Sequence, residues 1–233
     1  MRRQLDVGLD ALQERLLEMA GIVEESVHLA ASAIRNFDAQ VAAGVPAMDR
    51  KVDALEIEID ERALEVLALQ QPMAKDLRLI LSTLKVSNDL ERAGDHAVNI
   101  ARAATRLADM PRLPDLPEIS EMVDIVEGMM SDALAAFVAR NPGTARMVCA
   151  RDDRVDNLRR SLFRILVTHM LENPKHISPA LELLLVSQNL ERIADLCTNV
   201  AEDTVFLVEG RTIKHHHGES AEASQPRSPL GGA

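Results

Sequence analysis

The sequence predicts an all-α protein made of two tandem antiparallel three-helix bundles, related by internal duplication. Three observations predict this class. Hydrophobic residues make up 47% of the 233-residue chain, yet aromatics are only 2%, with four Phe and no Trp or Tyr. Sandwiches and barrels lean on aromatic and β-branched residues, whereas Leu, Ala, Val, Ile and Met are the material of packed helices. Pro and Gly gather in a few clusters and leave long periodic stretches between them. Finally, Val86–Ala101 returns 100 residues later as Val186–Ala201, with half of the positions identical.

The breakers at Gly44/Pro46, Pro72, Pro111–Pro117, Pro142–Gly143 and Pro174/Pro179 delimit six expected helices. They run over about 4–41, 46–70, 73–109, 117–140, 144–172 and 179–209, with ends uncertain by about 2–4 residues. The first carries a 4-3 apolar seam of Leu5, Leu9, Leu12, Leu16, Met19, Val23, Ser26, Ala30, Ala33 and Phe37. A seam of that period buries against neighbours at shallow crossing angles. Val45, Met48, Val52, Leu55, Ile59, Val66 and Leu69 continue it on the second. Pro46 and Pro72 sit where first-turn prolines are tolerated, and Ser178-Pro179 matches an N-cap followed by Pro at the first helical position. Segments 49–55 and 152–158 also correspond, so each half is one three-helix unit. The expected division is 1–110, a Pro-rich linker at 111–117, a second unit at 118–214, and a tail at 215–233 without period, expected to be disordered.

Composition also narrows the function. Lys+Arg is 26 against 37 Asp+Glu, a net charge of −11. That field repels phosphate backbones and anionic membranes, so neither a nucleic-acid binder nor a polybasic anchor is expected. No apolar run approaches the ~20 residues of a membrane span, so no direct membrane insertion is expected. The N-terminus turns acidic at Asp6 without an apolar segment, so no signal peptide is expected. Two cysteines, Cys149 and Cys197, build no disulfide framework and fit a reducing cytoplasm.

The chemistry-bearing pattern is four acid-x-x-x-Asp pairs, two in each repeat. They are Asp49/Asp53 and Glu91/Asp95, then Asp152/Asp156 and Glu191/Asp195. Residues four apart stack on one helix face. Asn99 and Asn199 extend the second pair of each repeat by one turn as possible outer members. In the third and sixth expected helices the acids lie about 200° from the apolar seam, so they face an outer groove. One such pair is an ordinary solvated face. Four in register are a repeated oxygen ladder, and clustered carboxylates raise a pKa or recruit a cation. All-oxygen ligands favour Mg²⁺, Mn²⁺, Ca²⁺ or iron. A catalytic di-metal bundle is less supported. It wants two Glu-x-x-His motifs, and only Glu25-x-x-His28 occurs. His96 has Leu196 as its repeat partner, and Cys197 falls on the apolar seam. Arg92 and Arg192 follow the two glutamates and fit local ion pairs or a phosphate contact. Three adjacent His at 215–217 suit a solvated tail better than a metal site.

These residues resemble the PhoU family, the accessory regulators of phosphate-specific transport. The resemblance rests on Gln70-Gln71-Pro72-Met73-Ala74-Lys75-Asp76-Leu77-Arg78, on Leu90-Glu91-Arg92-Ala93-Gly94-Asp95-His96 and its second copy from Leu190, and on the closing 205–211 segment. It covers about residues 1–214, both repeats in order. It implies two three-helix bundles whose acid-x-x-x-Asp motifs hold metal clusters of iron, zinc, manganese or magnesium. By position, the implied ligands are Asp49, Asp53, Glu91, Asp95, Asp152, Asp156, Glu191 and Asp195. It also implies a non-enzymatic negative regulator of the phosphate-starvation response, restraining phosphate uptake. Such a regulator bridges the ATPase of the phosphate ABC transporter and a sensor histidine kinase. It would be a homodimer in the cytoplasm, held peripherally at the inner membrane by those partners. A metal-dependent carboxylate-bundle enzyme and a metal-binding or metal-blind structural bundle are the rival readings.

Overall fold

The computed structural model describes residues 4–213. The tail with its three histidines lies outside the described residues. Eight α-helices follow one another: α1 (Gln4–Asn36), α2 (Ala39–Ala42), α3 (Val45–Gln70), α4 (Ala74–Ala108), α5 (Pro117–Ala139), α6 (Pro142–Cys149), α7 (Asp152–Glu172) and α8 (Ile177–Glu209). Six are long, and no strand is present among the described residues. Helices α1, α3 and α4 pack on one another, as do α5, α7 and α8.

The apolar seams fall where the periodicity placed them. Leu12, Met19, Val23, Ala30 and Ala33 of α1 are fully buried, as are Val52 and Ile59 of α3. Leu69 is a miss: at the last turn of α3 it is exposed. The two halves share one continuous core. Its centre is the α4–α8 packing, the most extensive contact in the molecule. The pairs Lys85–Asp203, His96–Asn189 and Arg106–Glu182 run in opposite directions along the two helices, so α4 and α8 are antiparallel. The duplicated units therefore meet back to back across an approximate two-fold axis.

Four expected boundaries are corrected. The first helix does not reach residue 41. It stops at Asn36, because Phe37 takes a left-handed backbone (φ 53°) and Asp38 caps α2 by accepting from the Gln40 and Val41 N–H groups. The same device recurs 103 residues on. Arg140 is left-handed (φ 50°), and Asn141 accepts from the Gly143 and Thr144 N–H groups. The expected 144–172 helix is broken at Ala150–Arg151 into α6 and α7, so Asp152 opens a helix. Ser178 is not a cap. Asn173 accepts from the Lys175 N–H, a 3-10 turn over Pro174–His176 follows, and α8 has begun by Ile177. Pro72 likewise lies just ahead of α4, whose N-cap is Met73. Truncating either Asx cap, by Asp38→Ala or Asn141→Ala, is expected to cost about 1 kcal/mol in denaturant unfolding.

Candidate metal centres

The α3–α4 face carries the first acid group. Asp49 and Glu91 are half-buried, while Asp53 and Asp95 are exposed. Burial pushes the Asp49 carboxyl above its ordinary value, and Asp53 and Asp95 push it further against Arg102 and Arg50. Glu91 is raised in the same way, by burial first and then by Asp95, Glu56, Asp53 and Asp49. The four acids predicted from the sequence thus share one field. Glu56 joins them and was missed; it stands one turn beyond Asp53, the signal that could have found it. Gly94 of α4 lies directly against the Asp49 carboxylate of α3. A Cβ there would stand 3.3 Å from Asp49 Oδ1 and 3.8 Å from Val52 Cγ1. Among the described residues, none of Asp49, Asp53, Glu91 and Asp95 is in an ion pair within 4.0 Å.

The α7–α8 face repeats the arrangement with different compensation. Asp152 is pushed up to about 6, by burial first and then by Asp195, Asp156, Asp153 and Glu191. Asp153 itself is exposed. Glu191 is raised by burial and Asp195, with Arg159 and Arg192 opposing. Arg192 donates to Asp195 at 3.1 Å and lies 3.7 Å from Glu191, and Arg159 stands 3.9 Å from Glu191. A cavity of about 280 Å³ opens here, lined by Asp152, Asp195, Arg192, Thr198, Asn199 and, from the first repeat, Arg92. Asn199 donates to the buried Asp89 carboxylate at 3.4 Å, whereas Asn99 is exposed. Guanidinium groups therefore pair directly with the carboxylates of the second face, whereas Arg102 and Arg50 act on the first only from beyond ion-pair distance. A hard cation is expected to bind the first group more tightly. Arg192→Gln should narrow that gap several-fold in a Mn²⁺ titration by calorimetry.

The oxygen-only donor set fits a hard cation. Among the described residues, however, no three Asp, Glu, His or Cys side chains converge closely enough to hold a metal ion as they stand. Binding would require the carboxylates to turn together. Neither histidine of interest joins these groups. His28 meets Glu127 at 2.7 Å, and Arg35 bonds the same Glu127 and Asp124, which ties α1 to α5. His96 meets Asn189 at 2.9 Å across the α4–α8 interface. Burial pushes the Cys149 thiol up to about 11 and that of fully buried Cys197 well beyond the ordinary range, so both are inert.

The family model for the PhoU domain matches residues 16–104 and again 119–204. The chain belongs to the PhoU family. Two PhoU matches in tandem correspond to the two packed halves. The phosphate-specific transport system accessory protein PhoU homolog of Aquifex aeolicus is 39% identical over 209 residues, 90% of this chain and 95% of that protein. The homolog of Deinococcus radiodurans is 37% identical over 210 residues, 90% of this chain and 99% of its own. The crystal structure of PhoU from Pseudomonas aeruginosa superposes with a TM-score of 0.86 at 36% identity, covering 88% of this chain and 99% of that one. No helix among the described residues is long and apolar enough to cross a membrane.

Proposed function

We propose that this PhoU protein is a non-catalytic accessory of phosphate-specific transport. It restrains phosphate uptake and the phosphate-starvation response by bridging the ATPase of the phosphate ABC transporter and a sensor histidine kinase. The observation that carries the reading is the extent of the match. Both PhoU units are present in order, and relatives named as accessory proteins of that system align over nearly their whole length. Among the described residues, both thiols are buried and His28 and His96 serve helix–helix contacts, which supports a non-catalytic reading. We further propose that the two carboxylate groups hold multinuclear clusters of iron, zinc, manganese or magnesium. Asp49, Asp53, Glu91 and Asp95 would hold one, and Asp152, Asp156, Glu191 and Asp195 the other. Bound cations would replace mutual repulsion by attraction and order the two acidic faces for docking. The protein would act as a homodimer in the cytoplasm, reaching the inner membrane through its partners.

Affinity capture of the tagged chain from its own host, crosslinked in high and in low phosphate, tests the adaptor reading. Recovery of the transporter ATPase or a sensor kinase, stronger in high phosphate, is the expected result. Recovery of neither would overturn it.

A further inference from the structure

The duplication gives the molecule two cavities at equivalent places, one at each end of the α4–α8 pair. The 103-residue spacing that relates Asp38 to Asn141 also relates Phe37 to Arg140. The 100-residue spacing of the repeated motif relates Leu79 to Pro179 and Leu107 to Leu207. The first cavity, about 290 Å³, is lined by Phe37, Leu107, Pro179 and Leu183 and is walled by the Pro111–Leu116 segment. Its two cations are occupied. Arg112 lies over the Phe37 ring, 3.9 Å from the centroid, and Arg35 is bonded to Asp124 and Glu127.

The second cavity has become something else. It measures about 620 Å³, and the N-terminal part of α1 stands where the Pro-rich segment walls the first. Lys75 and Arg78 enter it from the start of α4, and Arg140 enters from the end of α5, in the place Phe37 takes in the first cavity. None of these three cations takes part in an ion pair among the described residues, although the chain carries a net charge of −11. Asp6, Asp10 and Asp76 also line the cavity, and Asp6 and Asp10 have interactions of their own. Arg78 is not a freely solvated side chain. Its guanidinium lies against the C-terminus of α8, where a Cβ on Gly210 would come within 2.6 Å of Nη1. Its buried Nε has no hydrogen-bond partner. Gly210 has φ +69°, so the residue that ends α8 is also the one that leaves room for this group. A half-buried guanidinium with an unpartnered Nε, and two further cations on the same lining, offer N–H donors to a tetrahedral oxyanion, set against the carboxylates of Asp6, Asp10 and Asp76.

We propose that this cavity binds a small phosphate-bearing anion, inorganic phosphate or a phosphomonoester, through Lys75, Arg78 and Arg140. The proposal stands on the cavity and not on the transport reading, so failure of partner capture leaves it untouched. The full chain, dialysed against EDTA so that the carboxylate groups carry no cation, would be titrated by calorimetry with inorganic phosphate and separately with AMP. Saturable one-to-one binding with Kd below about 1 mM is expected for at least one of them. Binding of phosphate itself assigns the free anion; binding of AMP alone assigns a phosphomonoester. Arg78→Gln and Arg140→Gln should each weaken binding by about tenfold or more. Arg146→Gln, whose arginine is paired with Glu209 outside the cavity, should leave binding unchanged. Lys75→Gln, at an exposed position, gives a third variant should Arg78→Gln fail to fold. No saturable binding of either anion, or undiminished binding in variants that keep the parent melting temperature, would overturn the proposal.

Discussion

Truncating Lys85 to alanine should lower the unfolding free energy by about 2 kcal/mol. Asp203 of α8 is 2% exposed, and Lys85 of α4 meets its Oδ1 at 3.1 Å. Its other oxygen, Oδ2, has no hydrogen-bond partner. Removing the ammonium leaves a buried carboxylate without its counter-ion, the costly half of breaking an ion pair. The cost stays below the ~3–5 kcal/mol of a fully buried pair because water already reaches the half-exposed Lys85 side chain. Lys85 also stands over the Phe206 ring, 5.1 Å from its centroid, and that contact is lost with it. Denaturant unfolding of Lys85→Ala, Asp203→Asn and the double variant measures the coupling. The double variant should recover most of the loss; equal losses in Lys85→Ala and the double variant would show that the carboxylate was never the burden.

Replacing Asp152 by Asn should flatten the acid side of the stability profile of the metal-free protein. The folded-state carboxyl is pushed up to about 6 from an ordinary value of 3.8. The folded state therefore holds this proton more tightly than the unfolded chain. Its stabilising contribution is complete below about pH 4 and is lost as pH rises through about 6. About 1 kcal/mol is expected across that window after allowance for solvent screening. Saturating Mn²⁺ should reverse the sign, since a cation favours the ionised carboxylate. A pH slope unchanged in Asp152→Asn, measured with and without EDTA, would contradict this account of the second carboxylate group.

The helices and the repeat were legible because long periodic seams leave little choice of buried face. Leu12, Met19, Val86 and Val186 could point only inward. The left-handed stops at Phe37 and Arg140 were not legible, since neither residue type signals positive φ. The usable signal lay one residue later, in the capping side chains of Asp38 and Asn141 at the repeat spacing. The break at Ala150–Arg151 had no Pro or Gly to announce it. In the candidate centres, i,i+4 spacing was enough to gather the acids of each repeat on one face. It could not show that Arg159 and Arg192 approach only the second group, because that depends on how α7 packs against α8. Nor could it show that Asp89 and Asp203 are buried where α4 meets α8, with Lys85 crossing from α4 to Asp203 and Asn199 crossing from α8 to Asp89.

Phosphate uptake measured with radiolabelled phosphate, in the host and in a strain lacking this chain, tests the central claim most directly. The cells would be grown in phosphate-replete medium. Uptake should rise in the deletion strain and return to the parent rate when the chain is supplied from a plasmid. Uptake that is equal with and without the chain would contradict its role as a restraint on phosphate transport.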